Sequence, residues 1–366
     1  MDVDSKKALR TLNPRSVWLP VIIGLAIVTF VAFRDDKINE ATLQSMLRIS
    51  VLAIVLAFIF LISKDLLNTA RVKLVGSGSF TSKDALRIVL LWEFAVAVVP
   101  PIIGPIAVIV YIIHKHKVDV GRALAYALLL AMMDNIFFLT ASPIALLFTG
   151  GAALPKSELI QSELGGSLSY FFYLSYGLIA FYVSFKISAL LLFPSVVKKL
   201  LHRLAQLPFL KKWRGRLSNR ADELFEVSKE LRGKSAAFWL KLVGLTYAIW
   251  IVKFGVLNML VVGFVPISID DHFLILGRHL IMWLVLLVSP TPGSAGTAEY
   301  IFPAFFGDFL GEYTFVASLI WRLISFYPYL IIGALILPGW IKKLVVKKIK
   351  KSDHKPLFYS NKELNP

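Results

Sequence analysis

The sequence predicts an all-α polytopic membrane protein: about six transmembrane helices plus two oppositely oriented re-entrant broken-helix hairpins, arranged as an inverted repeat. Three observations predict it. Eight apolar runs fill most of the 366 residues, two of those runs are broken by proline in mid-course, and the basic residues are segregated between alternate loops. With 57% hydrophobic and 17% charged residues, the chain lacks the polar surface of a water-soluble fold. At roughly 20 residues per span, this length holds about six to nine membrane-entering segments.

The apolar runs fall at 17–33, 46–62, 88–113, 123–148, 168–195, 237–262, 273–307 and 313–338. The first follows Lys6, Lys7, Arg10 and Arg15, but no small-residue cleavage site occurs at Ala32 to Asp36, so it reads as a retained span. The run at 88–113 contains Val99-Pro100-Pro101-Ile102-Ile103-Gly104-Pro105, and the run at 273–307 contains Ser289-Pro290-Thr291-Pro292-Gly293-Ser294-Ala295-Gly296. Proline removes a backbone donor and clashes with the preceding turn, so each of these runs is expected to be two half-helices.

Charge placement decides whether the broken runs cross. If both turn back and the N-terminus is cytoplasmic, the inner segments 1–16, 63–87, 114–122, 196–236 and 339–366 hold 31 Lys+Arg against 11 acids. The outer segments 34–45, 149–167, 263–272 and 308–312 hold 3 against 9. A crossing at 88–113 would send Lys115, Lys117 and Arg122 outside, against the positive-inside rule. Both termini are therefore expected in the cytoplasm and the protein in the cell (inner) membrane. The organisation read from this is an N-terminal segment and first span (1–45), a first membrane half (46–195), a basic amphipathic segment (196–236), a second half (237–338) and a basic tail (339–366). Arg87, Trp92 and Pro101 recur as Arg278, Trp283 and Pro292 at an offset of 191, which supports a repeat. Inverted repeats whose broken helices meet near the midplane are a pattern of secondary transporters.

The net charge of +17 is read as orientation and attraction to anionic lipid, not as a nucleic-acid interface. Cysteine is absent, which removes disulfides, thiolate metal sites and thiol nucleophiles. Segment 196–236 reads as two short amphipathic helices separated near Pro208, with Val197, Leu200, Leu201 and Leu204 on the apolar face of one and Leu217, Ala221, Leu224 and Leu231 on that of the other.

An ionisable group within the bilayer costs at least about 2.5–3.5 kcal/mol, so such groups mark function or pairing. Glu93, Asp134, Lys253, Glu299 and Arg322 qualify, while Arg48, Lys186, Lys241 and Arg278 lie nearer run ends and can snorkel. The bland alternative is structural pairing, Glu299 with Arg322 or Asp134 with Lys253. Glu299 stands three residues after Gly296, where it can also cap a half-helix. Gly293 and Gly296 allow close backbone approach for packing or for a ligand. No phosphate-binding Gly-rich loop, nucleophile constellation or metal set is read, and His114-Lys115-His116 is expected in a solvated loop.

Pro290-Thr-Pro-Gly-Ser-Ala-Gly-Thr-Ala-Glu299 resembles the late Pro-x-Pro-Gly-Gly-x-Gly-x-x-Glu signature of the lysylphosphatidylglycerol synthase transmembrane family, the flippase-like integral membrane proteins, except that Ser294 replaces the second glycine. Trp92-Glu93-Phe94 through Pro100 and Gly104, with Asp134, is similar to an earlier block of the family, and Trp321-Arg322-Leu323-Ile324 with Pro328 to its last span. The resemblance covers about residues 46–338. In the multiple peptide resistance factors this region is similar to a flippase for aminoacylated phosphatidylglycerol, beside a separate soluble synthase domain. After Pro338 only 28 residues follow, so no such domain is expected here.

The resemblance implies translocation of a phospholipid or modified lipid headgroup through a midplane polar cavity. Glu93, Asp134, Lys253, Pro292, Gly293, Gly296, Glu299 and Arg322 are the expected substrate-binding residues, with no catalytic residue, metal or cofactor. The expected partners are membrane lipids, anionic or aminoacylated, with no nucleic acid and with homo-oligomerisation left open. Two alternatives stand beside it: a membrane enzyme using Glu93, Asp134 or Glu299 as acid or base on a lipid headgroup, and a non-catalytic assembly subunit.

Overall fold

In a computed structural model of the chain, residues 44, 48–101, 105–116, 118–155, 168–207, 214–333 and 335–336 are described. The expected span at 17–33, the tail 339–366, Ile102 to Gly104 of the first break and Pro208 lie outside them. Among the described residues helices are the only regular structure, and the chain is an all-α polytopic membrane protein.

The helices are α1 (Val51–Gly76), α2 (Ser82–Val98), α3 (Ile106–Lys115), α4 (Val120–Phe148), α5 (Leu168–Ile187), α6 (Pro194–Leu204), α7 (Arg214–Arg232), α8 (Ala236–Phe264), α9 (Ile269–Leu286), α10 (Thr297–Leu310) and α11 (Thr314–Ser325). Five stretches are long and apolar enough to cross a membrane: Val51–Gly76, Val120–Phe148, Leu168–Leu192, Ala236–Phe264 and Thr297–Gly333. Leu52, Val55, Ile59, Ile62 and Leu66 form an exposed apolar face on α1. In water such a face would be a liability; in lipid it is the outer wall.

α1 runs past the expected end at residue 62. Lys64, Asn68 and Arg71 continue the buried stripe begun by Ala53, Ala57 and Leu61, at helical spacing. They are helical and buried rather than part of a loop, so the helix runs beyond the apolar run. The physical reason is that protein, not lipid, covers this face.

α1 and α8 lie antiparallel along their length. Ser50 N donates to the Gly263 carbonyl at 3.0 Å near one end, Arg71 reaches Thr246 at 3.3 Å, and Lys234 donates to Ser77 at 3.0 Å near the other. A Cβ on Gly255 would run into the Phe60 ring, so small residues set how closely the helices approach.

Two helix pairs fold back on this scaffold. Thr81 caps α2, accepting from Asp84 N at 3.1 Å, and the Thr81 hydroxyl holds the Asp84 carboxyl below its ordinary range. Asp84 Oδ1 lies 3.4 Å from His116 Nδ1, so the start of α2 meets the end of α3 and the two helices form a hairpin. This corrects the solvated loop expected for the two histidines: the His116 side chain is 10% exposed, and His114 Nδ1 lies 2.7 Å from the Val118 carbonyl. α9 opens with a capping box, Ser268 with Asp271, and α10 returns beside it. Phe264, just before α9, stacks on Tyr313, just after α10, at 5.3 Å. The base of the first hairpin lies by the Ser77–Lys234 end of the α1–α8 pair and that of the second by the Ser50–Gly263 end.

α6 and α7 are the two helices expected in 196–236. Ala221, Leu224, Val227 and Leu231 are buried, while Leu200 and Leu204 are exposed and Val197 and Leu201 half-buried; the Leu217 side chain lies outside the described residues. Glu223 accepts from Gly121 N at 2.5 Å and Arg122 donates to Glu230 at 2.7 and 3.0 Å, which ties α7 to the start of α4.

Candidate functional site

The proline-rich tip of the second hairpin folds into a short 3-10 turn, Pro292–Ser294, in which Gly293 has φ +56° and Ser294 φ +54°. Both lie in the left-handed region that disfavours a side chain. Ser294, where the resembling signature carries glycine, donates from its hydroxyl to the Leu286 carbonyl at 3.3 Å. A Cβ on Gly293 would collide with the Phe326 ring and lie 2.8 Å from the Ala97 carbonyl oxygen. The second tip therefore rests against the last turn of α2, next to the first break at Pro100-Pro101.

Five of the eight expected residues gather at this tip. Pro292 opens the turn. Glu299 accepts from Gly296 N at 2.7 Å and from Arg322 Nε at 2.6 Å, so both bland readings hold: it caps α10 and pairs with Arg322. The Arg322 guanidinium also donates twice to the Gly293 carbonyl, at 3.2 Å each, and lies over Phe326 at 4.5 Å. Arg322 is thus spent on holding the tip, and its positive charge is already matched.

The other three, Glu93, Asp134 and Lys253, lie in the middle of the bundle. Asp134 is the central residue of the 29-residue α4, Trp250 that of the 29-residue α8, and Lys64 stands midway along the 26-residue α1. The Asp134–Lys253 pair of the bland alternative is not formed. Asp134 instead binds Arg71, at 2.5 and 3.4 Å, and accepts from Trp250 Nε1 at 2.9 Å. Arg71 is further held by Asn68 at 3.1 Å, because α1 brings a planar fork that a lysine lacks.

Glu93 binds Lys64 at 2.9 Å, and Lys64 also reaches Asp65 at 3.0 Å and the Tyr329 hydroxyl at 2.8 Å. Lys253 Nζ lies 3.9 Å from the Trp283 ring centre and 4.6 Å from that of Trp250. Among the described residues it has no carboxylate within 4.0 Å. Lys186 is buried, not snorkelled, and with the Asn135 amide turned to suit both neighbours it donates to that oxygen at 3.0 Å. Arg278 is also buried, holding Asp308 at 2.5 and 2.7 Å and the Phe305 carbonyl at 2.8 Å; Arg48 and Lys241 are exposed. Arg87, its partner in the proposed repeat, is instead half-exposed beside Asp84.

Lys64, Asp65, Arg71 and Tyr329 were not anticipated. The signal was available, since Lys64, Asn68 and Arg71 extend the small-residue stripe of α1, but a hydropathy boundary at 62 hides it. An apolar groove of about 780 Å³ lies between α4, α8 and α9, lined by Phe137, Ile144, Tyr247, Phe254 and Leu274 with Asp270 at its rim. Phe137 stacks on Trp250 at 5.8 Å, so one ring pair separates this groove from Asp134.

A bundle of long apolar helices with buried charged residues midway along them defines the class: a polytopic membrane protein. The chain belongs to the family described as the lysylphosphatidylglycerol synthase TM region, which matches residues 17–333. It is similar to a UPF0104 membrane protein of Archaeoglobus fulgidus, 26% identical over 322 residues, covering 86% of this chain and 94% of the relative.

Proposed function

We propose that this protein moves a phospholipid or modified lipid between leaflets, with the headgroup passing through the mid-depth polar site while the acyl chains stay in lipid. The observation that carries the reading is Lys253: a cation midway along a span, walled by two indoles and without a carboxylate of its own. A buried cation with no anion in contact is costly, so an anion is the ligand it favours. A phosphodiester has one such charge, and the neighbouring groove between α4, α8 and α9 suits an acyl chain.

The hairpins support the path. At 1.5 Å per residue the 10-residue α3 reaches only about 15 Å, half of a hydrocarbon core of about 30 Å. The Asp84–His116 contact supports a first hairpin that enters and leaves at one face, and the Phe264–Tyr313 stack supports a second that does so at the other. With the basic α6–α7 segment inside, the first opens to the cytoplasm and the second outward, the inverted arrangement of broken-helix transporters. The test is reconstitution into liposomes carrying fluorescent phospholipids of different headgroups. Flipping of an anionic lipid faster than in empty liposomes supports the reading; equal rates for every headgroup tried overturn it.

A further inference from the structure

The charge balance around Glu93 is uneven. Lys64 spends its three N–H bonds on Asp65, Glu93 and the Tyr329 hydroxyl, and Tyr329 in turn donates to both Asp65 oxygens at 3.1 and 3.0 Å. Two carboxylates face one ammonium, in a site where Lys64 is 1% exposed. Arg71 is also within electrostatic range of Glu93, but its hydrogen bonds go to Asp134. The group on the α8 side is Lys253, which lies within electrostatic range of Glu93 and has no carboxylate partner. The remaining neighbours are Lys186 on α5, turned to Asn135, and His279 on α9, enclosed by the rings of Phe254, Phe306 and Trp321.

From this arrangement we infer that the Lys64–Asp65–Glu93 triad is a proton-binding site, and that a headgroup phosphate on Lys253 loads it. The inference rests on the reading under Proposed function and supplies its driving force. When a phosphodiester oxygen takes Lys253 as its counter-ion, Glu93 loses that compensation. One proton from water then binds a Glu93 carboxylate oxygen beside Lys64, which keeps Asp65 and Tyr329 as its other partners. No heavy-atom bond forms or breaks. One negative lipid and one proton cross together, so the movement is electroneutral, and both are released at the opposite face.

The experiment uses the full chain in liposomes containing fluorescent phosphatidylglycerol, with a gradient of one pH unit and the membrane potential clamped at zero. One proton per lipid drives the leaflet ratio to about tenfold in favour of the alkaline side, since about 1.4 kcal/mol is a factor of ten. The ratio is unchanged when a potential is imposed. Glu93→Gln and Asp65→Asn each bring the ratio to about one, whatever their absolute rates; Asp65→Asn carries the test if Glu93→Gln does not fold. A wild-type ratio of one with flipping still faster than in empty liposomes overturns the coupling and leaves the transport reading intact. No acceleration over empty liposomes overturns both. A ratio that stays near ten in both variants overturns the assignment of the proton to this triad.

Discussion

Lys253 and Glu299 are both charged residues of the bundle interior, and their replacement should have opposite signatures. Lys253 has ring faces around it and no carboxylate in contact, so Lys253→Met keeps the packing but removes the charge that offsets Glu93 at a distance. We expect the thermal midpoint in detergent to change less than in Glu299→Gln, while flipping of an anionic lipid falls at least about tenfold, the factor that accompanies a loss of about 1.4 kcal/mol. Glu299→Gln instead leaves Arg322 buried and unpaired and weakens the cap on α10. Breaking such a pair costs about 3–5 kcal/mol, so the thermal midpoint should drop clearly. The pair at Glu299 and Arg322 was legible in the sequence because Glu299 follows a recognisable proline-glycine tip and Arg322 is a charge of opposite sign within the next apolar run. The partner of Asp134 was not: a helix period places Arg71 on a face, but only the fold shows that this face meets α4 and not lipid.

At the scale of elements, the α1–α8 seam and the first hairpin each make a prediction. Gly255→Leu drives a side chain into Phe60, and overpacking of this kind costs about 1–3 kcal/mol. Gly244→Leu on the same helix meets nothing within 4 Å and should leave the unfolding temperature unchanged. At the hairpin base, burial lowers the His116 pKa from its ordinary value of 6.5, with Asp84 opposing. The folded state therefore favours neutral His116, and the unfolded chain takes up the proton first. Stability should fall as the pH drops below about 6.5, and His116→Gln should flatten that slope in a thermal-shift series. The lowered Asp84 pKa acts in the more acidic window near and below 3.8. Most helices follow the apolar runs read from the sequence, because lipid leaves the backbone no alternative to internal hydrogen bonds. Boundaries failed where protein covers the helix: α1 extends to Gly76 since its polar half is buried.

For the whole molecule, the proposed transport path requires two hairpins that enter from opposite faces, and Gly293 in the second lies against Ala97 at the end of α2 in the first. Charge segregation and two proline breaks in the sequence predict that opposition. What the sequence could not supply was the meeting of the tips, which depends on a close approach between residues almost two hundred positions apart. The most direct measurement is single-cysteine accessibility in sealed cells, which the cysteine-free chain makes clean. Ser79→Cys and Asp119→Cys, flanking the first hairpin, should label from the cytoplasmic side alone, and Asp270→Cys and Glu312→Cys, flanking the second, from the outside alone. Labelling of Ser79→Cys and Asp119→Cys from opposite sides would contradict the account.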